Sequence, residues 1–203
     1  MEAMSSPERK RTGRRPGSTD TREQISVAAR ALFAEVGYEQ TTYRRVAASA
    51  GVDPALVVHF FGSKEELFRH VTALPPAIAD AVEHIADGPR ETVGRRLAEL
   101  VVDSLENPAS RALLLARIRA TTSHPEAASL VRENVTHDLG RLASALSDDQ
   151  PETRAVLAGV QVVGLTFTRY VLRAEPLASM SASDIVDYLA PVFQHYLVEP
   201  LAT

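Results

Sequence analysis

The chain has 203 residues, of which 45% are hydrophobic and 24% are charged, and it contains no cysteine. A chain of this length and composition can bury a sizeable core in one or two domains, and the lack of cysteine excludes disulfides and thiolate metal ligands. Because no apolar run is long enough to span a bilayer and the first residues lack the apolar stretch of a signal peptide, we expect a cytoplasmic protein without a membrane partner.

Charge is unevenly distributed along the sequence. The formal net charge is −4, yet residues 1–64 hold ten Lys or Arg against seven Asp or Glu, whereas residues 65–203 hold twelve against nineteen. An excess of basic residues in one segment is typical of a surface that faces phosphates. Within it, Arg14 and Arg15 belong to a basic, glycine-containing arm that we expect to contact DNA, although a solvated tail without a specific contact is the alternative.

The first helix is predicted from apolar residues that recur on one face with the helical period. A capping box of Thr21 and Gln24 predicts where this helix begins, and Gly37 is placed to end it. The apolar face consists of Ile25, Ala28, Ala29, Leu32, Phe33 and Val36.

Residues 41–61 have the spacing of a helix-turn-helix, in which two short helices join at a tight turn. Ala47 allows the second helix to come close, Gly51 can adopt the positive φ that the turn requires, and Val57 anchors the second helix in the core. Asp53 is placed to cap that helix. Any short helical hairpin with a glycine turn would share these spacings. The flanking segments must therefore distinguish a DNA-binding helix-turn-helix from an ordinary helical hairpin.

A fourth helix is predicted directly after Gly62, where Ser63 and Glu66 can form a second capping box. Beyond it, Pro75 and Pro76 interrupt the helix, and no later segment alternates apolar and polar residues in the manner of a strand. Four more prolines mark further helix boundaries. These boundaries are Gly88-Pro89, Asn107-Pro108, His124-Pro125 and Gln150-Pro151.

The order of these motifs resembles the TetR family of bacterial one-component regulators. The likeness spans roughly residues 20–71, as A-x-x-x-F-x-x-x-G-Y-x-x-T-T, the turn glycine and F-x-S-K-E-x-L. Where the family usually has a tyrosine that donates to a DNA phosphate, this chain has Val58, and His59 is the candidate to take over part of that contact. The matching residues are Ile25, Ala29, Leu32, Phe33, Gly37, Tyr38, Thr41, Thr42, Val46, Ala47, Gly51, Val52, Phe61, Ser63, Lys64, Glu65 and Leu67.

The helical pattern and the resemblance together predict an all-α protein of about nine helices. A flexible basic arm would occupy residues 1–18, and an N-terminal three-helix DNA-binding head would occupy residues 19–64. Residues 65–203 would form a C-terminal helical domain for ligand binding and dimerisation.

The resemblance implies a role for each candidate DNA-binding residue. Thr42 and Lys64 are expected to contact phosphates, and Arg44 to reach a phosphate or a guanine edge. The positions expected to face the major groove have few hydrogen-bonding side chains, so apolar contacts and DNA shape would supply part of the specificity. These groove-facing positions are Pro54, Ala55, Leu56 and His59.

The last two helices are apolar over more than one face, which predicts that they also pack against a second copy of the chain. In proteins that this chain resembles, the last two long helices pair across a two-fold axis. The alternative is that these residues are core within one protomer. The interface candidates are Val156, Val160, Val163, Phe167, Tyr188, Val192, Phe193 and Tyr196.

The resemblance also implies a pocket for an unidentified small-molecule effector among the middle helices. Polar and aromatic residues on otherwise apolar helices are the candidates to line it, although each is also compatible with the surface or with a satisfied core position. These candidates are Arg117, Thr121, His137, Phe167, Thr168 and Tyr170.

Together these features predict a homodimeric repressor that binds a palindromic operator in double-stranded DNA and is released by its effector. An enzyme is disfavoured because the six histidines show no metal-ligand spacing and no nucleophile or phosphate-binding motif is present, so no cofactor or metal is expected. A helical protein-interaction module that keeps the shape of the head without specific DNA binding is the alternative.

Overall fold

A computed structural model describes residues 17–123 and 125–201. Ten α-helices and no strand occur in these residues, which confirms the all-α prediction with one helix more than the nine expected. The helices are α1 (Gly17–Gln40), α2 (Tyr43–Ala50), α3 (Pro54–Phe61), α4 (Lys64–Thr72), α5 (Pro76–His84), α6 (Val93–Glu106), α7 (Pro108–Ser123), α8 (Pro125–Leu146), α9 (Pro151–Thr166) and α10 (Ala182–Val198). Short 3₁₀ turns precede α6, and a π-helical turn, Phe167–Leu172, continues α9.

Helix α1 begins earlier than predicted. Thr21 lies inside the helix, which starts at Gly17, so the predicted capping box of Thr21 and Gln24 is wrong. Asp20 in the first turn suits the positive end of the helix dipole and favours the earlier start. The predicted break at Gly37 is confirmed, since this glycine has a φ of 80° and interrupts the helical backbone.

The turn between α2 and α3 follows the predicted local chemistry. Gly51 has a φ of 67° and a ψ of 32°, the left-handed conformation that glycine adopts without strain. Asp53 caps α3, its Oδ1 accepting a hydrogen bond of 2.8 Å from the backbone N–H of Ala55. At α4, Ser63 and Glu66 form the predicted capping box. Local side-chain chemistry therefore sets the ends of the two short helices.

The first four helices share one core with parts of α7 and α8. Phe33, Tyr38 and Phe68 form an aromatic group in which ring centroids lie 5.0–5.8 Å apart. Helix α1 packs along α7, and α4 packs against both α7 and α8. In addition, Arg30 Nε donates to the carbonyl of Val71 at 3.1 Å. Helix α4 is therefore held by the N-terminal helices on one side and by the body of the protein on the other.

The second core lies among α5, α6, α8, α9 and α10. Helices α6 and α10 approach so closely at Gly94 that a Cβ there would lie 2.2 Å from the carbonyl oxygen of Ala190. A buried arginine, Arg154, donates through Nη1 to the carbonyls of Tyr196 at 2.7 Å and Glu199 at 2.9 Å. Arg154 therefore supplies hydrogen bonds to carbonyl groups at the end of α10 that have no partner within the helix.

Candidate nucleic-acid interface and ligand cavity

The predicted DNA-reading residues of the described chain share one exposed region at α2 and α3. Thr42 and Arg44 are exposed at the start of α2. Val57 lies on the inner face of α3 and is fully buried. Pro54, Ala55, Leu56 and His59 are exposed along α3. The predicted arm residues, Arg14 and Arg15, lie outside the described residues.

Thr42 has a structural role as well as its predicted role at DNA. Its Oγ1 accepts a hydrogen bond of 3.3 Å from the backbone N–H of Arg45 and caps α2. The hydroxyl proton is not used in this bond, so it can be donated to a phosphate oxygen. The N–H groups of the first turn of α2 add the partial positive charge that anions prefer.

The three basic residues near this surface differ in how firmly the protein holds them. Arg45 Nη1 donates to the carbonyl of Gln40 at 3.1 Å, whereas Arg44 makes no hydrogen bond or ion pair with any described residue. Lys64 Nζ donates to the carbonyl of Glu39 at 3.2 Å and lies 4.4 Å from the ring centroid of Tyr38. Arg44 is therefore the arginine of α2 whose guanidinium is not committed within the protein.

Lys64 lies in a mixed electrostatic environment. Partial burial lowers the pKa of its ammonium from the ordinary value, and the nearby carboxylates of Glu39 and Glu65 oppose that shift. The donated bond to Glu39 uses one of three N–H groups, so two remain for a phosphate.

Helix α3 has an apolar patch on its exposed side. Val58 is 47% exposed and Leu56 is 37% exposed, so both are accessible to a partner. Neither side chain donates a hydrogen bond, and the phosphate contact that the resemblance implies at position 58 has no donor there.

A positioning residue missed by the sequence reasoning is Tyr43. Its hydroxyl donates to the carbonyl of Gly62 at 3.0 Å and links the start of α2 to the end of α3. Burial raises the pKa of the Tyr43 phenol, with further contributions from Glu65 and Glu66, so the donor proton is retained at neutral pH. The bond spans two helices, and no spacing rule in the sequence indicates it.

Helix α9 exposes a stripe of apolar side chains at helical spacing. Tyr188 on α10 is 71% exposed, and Val192 and Tyr196 are half-buried. Phe193 was predicted at the interface, but it is fully buried in the core of its own protomer, because it belongs to the apolar cluster among α5, α6, α8, α9 and α10. The exposed residues of the stripe are Val156, Val160, Val163 and Phe167.

The same helix is apolar enough to be considered as a membrane span. Among the described residues, Pro151–Leu172 is the one helix with the length and composition to cross a membrane, and 22% of its apolar window is buried. However, Arg154, Ala155 and Ala158 on this helix are buried in the core. Its composition is therefore explained by one face in the core and one exposed stripe.

A cavity of about 160 Å³ lies among α5, α6, α7, α8 and α9, and its wall is mostly aliphatic. Two of the predicted effector residues, Arg117 and Thr121, line it. The other polar groups in its wall were not predicted. They are Ser104, Ser110, Asp138 and Thr166.

Four predicted effector residues do not line this cavity, contrary to the sequence-based prediction. His137 is exposed on α8, and Phe167 is exposed on the apolar stripe. Tyr170 is half-buried against the core outside the cavity, its hydroxyl donating to Glu106 Oε1 at 3.1 Å, and Thr168 lies in the same π-helical turn. The last residue of α9 that faces the cavity is Thr166, because the change of helix type after it redirects the following side chains.

Arg117 is the most unusual group in the cavity wall. It is 5% exposed, and its Nε donates to the carbonyl of Thr72, the last residue of α4, at 2.7 Å. Its Nη1 forms an ion pair of 2.8 Å with Asp138 Oδ2. Its Nη2 is buried and has no hydrogen-bond partner among the described residues.

In the described part of the chain, no group of three or more His, Cys, Asp or Glu is arranged to hold a metal ion.

Two sequence families match the chain. Residues 25–71 match the family described as "Bacterial regulatory proteins, tetR family". Residues 91–197 match "Tetracyclin repressor-like, C-terminal domain", which is more than half of the chain. The first match contains α2, α3 and all but the last residue of α4, and the second contains most of α6 to α10.

Individual relatives agree with these matches. The chain is 44% identical over 50 residues to the HTH-type transcriptional repressor AcnR of Corynebacterium glutamicum, covering 25% of this chain and 27% of that protein. It is 32% identical over 100 residues to AcnR of Corynebacterium diphtheriae, covering 49% of this chain and 48% of that protein. The chain thus spans about half or less of the length of these relatives.

A solved structure matches over nearly the whole chain. A TetR-family regulator from Streptomyces coelicolor A3 is 35% identical with a TM-score of 0.65, and the match covers 91% of this chain and 98% of the other. The helical arrangement at both ends of the chain is therefore that of a known fold.

Proposed function

Since the chain belongs to the TetR family of bacterial regulators, we propose that it is a homodimeric repressor that binds a palindromic DNA operator and is released by a small molecule. The observation that carries this proposal is the exposed face of α2 and α3, where Thr42, Arg44 and His59 surround an accessible apolar patch. A helix of this size fits the major groove, and the turn at Gly51 presents it away from the core.

The side chains of this surface are proposed to have different roles at DNA, according to their chemistry. Thr42 and Lys64 donate to phosphates, which positions the head without reading sequence. Arg44 has all its donors available and can form a bidentate contact with guanine. Leu56 and Val58 offer apolar contacts that suit the methyl group of thymine.

Dimerisation is supported by the apolar stripe on α9. In a monomer, Val156, Val160 and Val163 would face water on one side of the same helix, each more than 40% exposed. Contiguous apolar surface of this kind is typical of a protein interface. Two copies of the α9 and α10 pair can bury it by packing as a four-helix bundle, and the resulting two-fold symmetry matches a palindromic operator.

The cavity is the proposed effector site because one residue of its wall contacts the end of α4. Arg117 lines the cavity and bonds the carbonyl of Thr72 at the end of that helix. A ligand can change DNA affinity only by its differential affinity for two arrangements of the protein, and a side chain shared by cavity and α4 provides a contact that differs between them. The regulator would act in the cytoplasm, where its DNA target lies, and it is proposed to have no enzymatic activity.

One observation favours a second candidate, a helical module that binds another protein. Leu56 and Val58 are exposed on α3, and Val58 has no donor for a phosphate. Apolar packing against a protein would use these side chains without needing Thr42 or Arg44.

Selection of the purified full-length protein against random duplex DNA at about 100 mM salt tests the proposal. We expect an enriched palindrome whose binding weakens steeply with salt, as about 6–10 phosphate contacts lower affinity by roughly 10³–10⁵ between 50 and 200 mM. Sedimentation of the same preparation should show a dimer. Folded dimeric protein that enriches no sequence would contradict DNA recognition and leave the protein-interaction module as the better description.

A further inference from the structure

The cavity contains one buried hydrogen-bonding group whose capacity is unused. Arg117 is 5% exposed, and two of its three nitrogens are occupied by Thr72 and Asp138. The third nitrogen, Nη2, is buried without a partner among the described residues. Buried donors are almost always paired in folded proteins, so an unpaired one in a cavity wall indicates a place for an acceptor on a ligand.

The other polar groups of the wall are less available as donors. The hydroxyl of Thr121 donates to the carbonyl of Ile118 at 2.7 Å, and that of Thr166 donates to the carbonyl of Val162 at 2.7 Å. Both bonds lie within their own helices, so neither hydroxyl proton points to a ligand. Ser104 and Ser110 also line the cavity, but both are only half-buried, whereas Arg117 is almost fully buried. Arg117 is therefore the buried donor that can fix the orientation of a molecule in this apolar space.

Cavity size limits the molecule that fits. The volume of about 160 Å³ is below the roughly 300–1,000 Å³ that is typical of sites for larger ligands. An apolar protein cavity of about 150 Å³ accommodates benzene. An occupant of about one ring, or an aliphatic chain of similar volume, therefore fits this space.

Charge limits its chemistry. The guanidinium of Arg117 is already balanced by the carboxylate of Asp138 at 2.8 Å, and the Asp138 side chain is only 14% exposed. A ligand carboxylate would leave a net negative charge in an apolar space and face Asp138 at short range. A carbonyl or hydroxyl oxygen accepts from Nη2 without that penalty.

We infer that the cavity takes a neutral, mainly apolar molecule of about one ring, with one carbonyl or hydroxyl oxygen that accepts from Arg117 Nη2. This inference deepens the proposed function and rests on its assignment of the cavity as the effector site. It also assigns a specificity role to Asp138, which excludes anions by keeping the arginine neutralised.

Three probes of nearly equal shape test the inference, namely acetophenone, cumene and benzoate. They differ in bearing a neutral acceptor, no acceptor and a charged acceptor. Binding to the full-length dimer, measured by ligand-observed NMR at about millimolar concentration, should favour acetophenone over the other two by roughly tenfold or more. Filling the cavity with Val162→Phe should abolish acetophenone binding.

Asp138→Asn is the matched variant, because it keeps the shape of the side chain and removes its charge. Arg117 would then be unbalanced, and the preference should change to benzoate. Equal binding of the three probes, stronger binding of benzoate to the unmodified protein, or no binding to folded protein would each overturn the inference.

The DNA-binding proposal is tested separately by enrichment of a palindrome. A protein that binds such DNA but none of the probes would refute the inference and not DNA recognition. A protein that binds acetophenone but no DNA would support the inference about the cavity and refute DNA recognition.

Discussion

Arg44 and its neighbour Arg45 provide a matched pair for testing how the DNA-binding surface works. Both are exposed at the start of α2, and each carries one positive charge. Arg45 is tied to the carbonyl of Gln40, whereas Arg44 has no partner among the described residues. The variants Arg44→Gln and Arg45→Gln therefore remove the same charge at nearly the same place, and the difference between them reports the specific role of each side chain.

The expected difference follows from the chemistry of base contacts. A bidentate contact between arginine and guanine contributes about 1–3 kcal/mol of discrimination. A dimer on a palindrome makes this contact twice, so Arg44→Gln should weaken binding to the preferred sequence by about 2–6 kcal/mol, or by at least about 30-fold. Arg45→Gln should weaken all sequences alike and reduce the salt slope by about one for each lost phosphate contact.

Fluorescence anisotropy with the selected palindrome and a scrambled duplex, each over a salt series, separates these outcomes. The ratio of the two affinities is the specificity, and it should fall for Arg44→Gln alone. If Arg44→Gln stays within about twofold of the unmodified protein on the palindrome, the reasoning about Arg44 is refuted. If both variants weaken both duplexes equally, Arg44 contacts phosphate and reads no base.

Three further changes test other parts of the structure. Val58→Tyr supplies the missing phosphate donor and should strengthen DNA binding by about 1 kcal/mol per protomer, with Val58→Phe as the control that gains nothing. Val160→Glu places two charges in the proposed interface and should shift sedimentation to the monomer; an unchanged dimer would exclude this stripe as the interface. Arg154→Met removes the donor shared by Tyr196 and Glu199, so the free energy of unfolding in urea, at fixed protein concentration, should fall by about 3–5 kcal/mol. A loss below about 1 kcal/mol would show that these carbonyls find other partners.

The parts of the fold that follow from local chemistry were predictable from sequence. Gly51, Asp53 and the pair of Ser63 and Glu66 act on backbone groups within a few residues, so their spacing is sufficient to indicate the turn and the helix starts. The boundary prolines are equally local, because α5, α7, α8 and α9 each begin at one. Thr21 has the right spacing for a cap, but α1 begins one turn earlier, at Gly17.

Residues whose roles depend on packing between distant helices were predicted less well. Periodicity identifies the apolar faces of α10 but not which of them packs within the protomer, so Phe193 was predicted at the dimer interface although it is buried in the core. Arg117 and Asp138 pair across α7 and α8 at a separation of 21 residues, and no motif indicates such a pair. Arg117 stood out as a charge on an apolar helix, whereas no pattern in the sequence singles out Asp138.

Helix α4 shows how much a single ligand contact can contribute to regulation. Tyr38 donates to Glu65 in the first turn of α4 at 3.0 Å, and Arg117 donates to Thr72 at its other end. In the proposed mechanism, the ligand oxygen accepts from Arg117 Nη2 in only one arrangement of α4. Because the donor is charged, this hydrogen bond contributes about 1.5–3 kcal/mol, or roughly a 10- to 150-fold change in DNA affinity. A nearly complete switch needs about 5.5 kcal/mol of differential binding. Two cavities per dimer, each adding one such hydrogen bond, supply about 3–6 kcal/mol, so at the lower end of this range differential apolar burial in the cavity must supply nearly half of the switch.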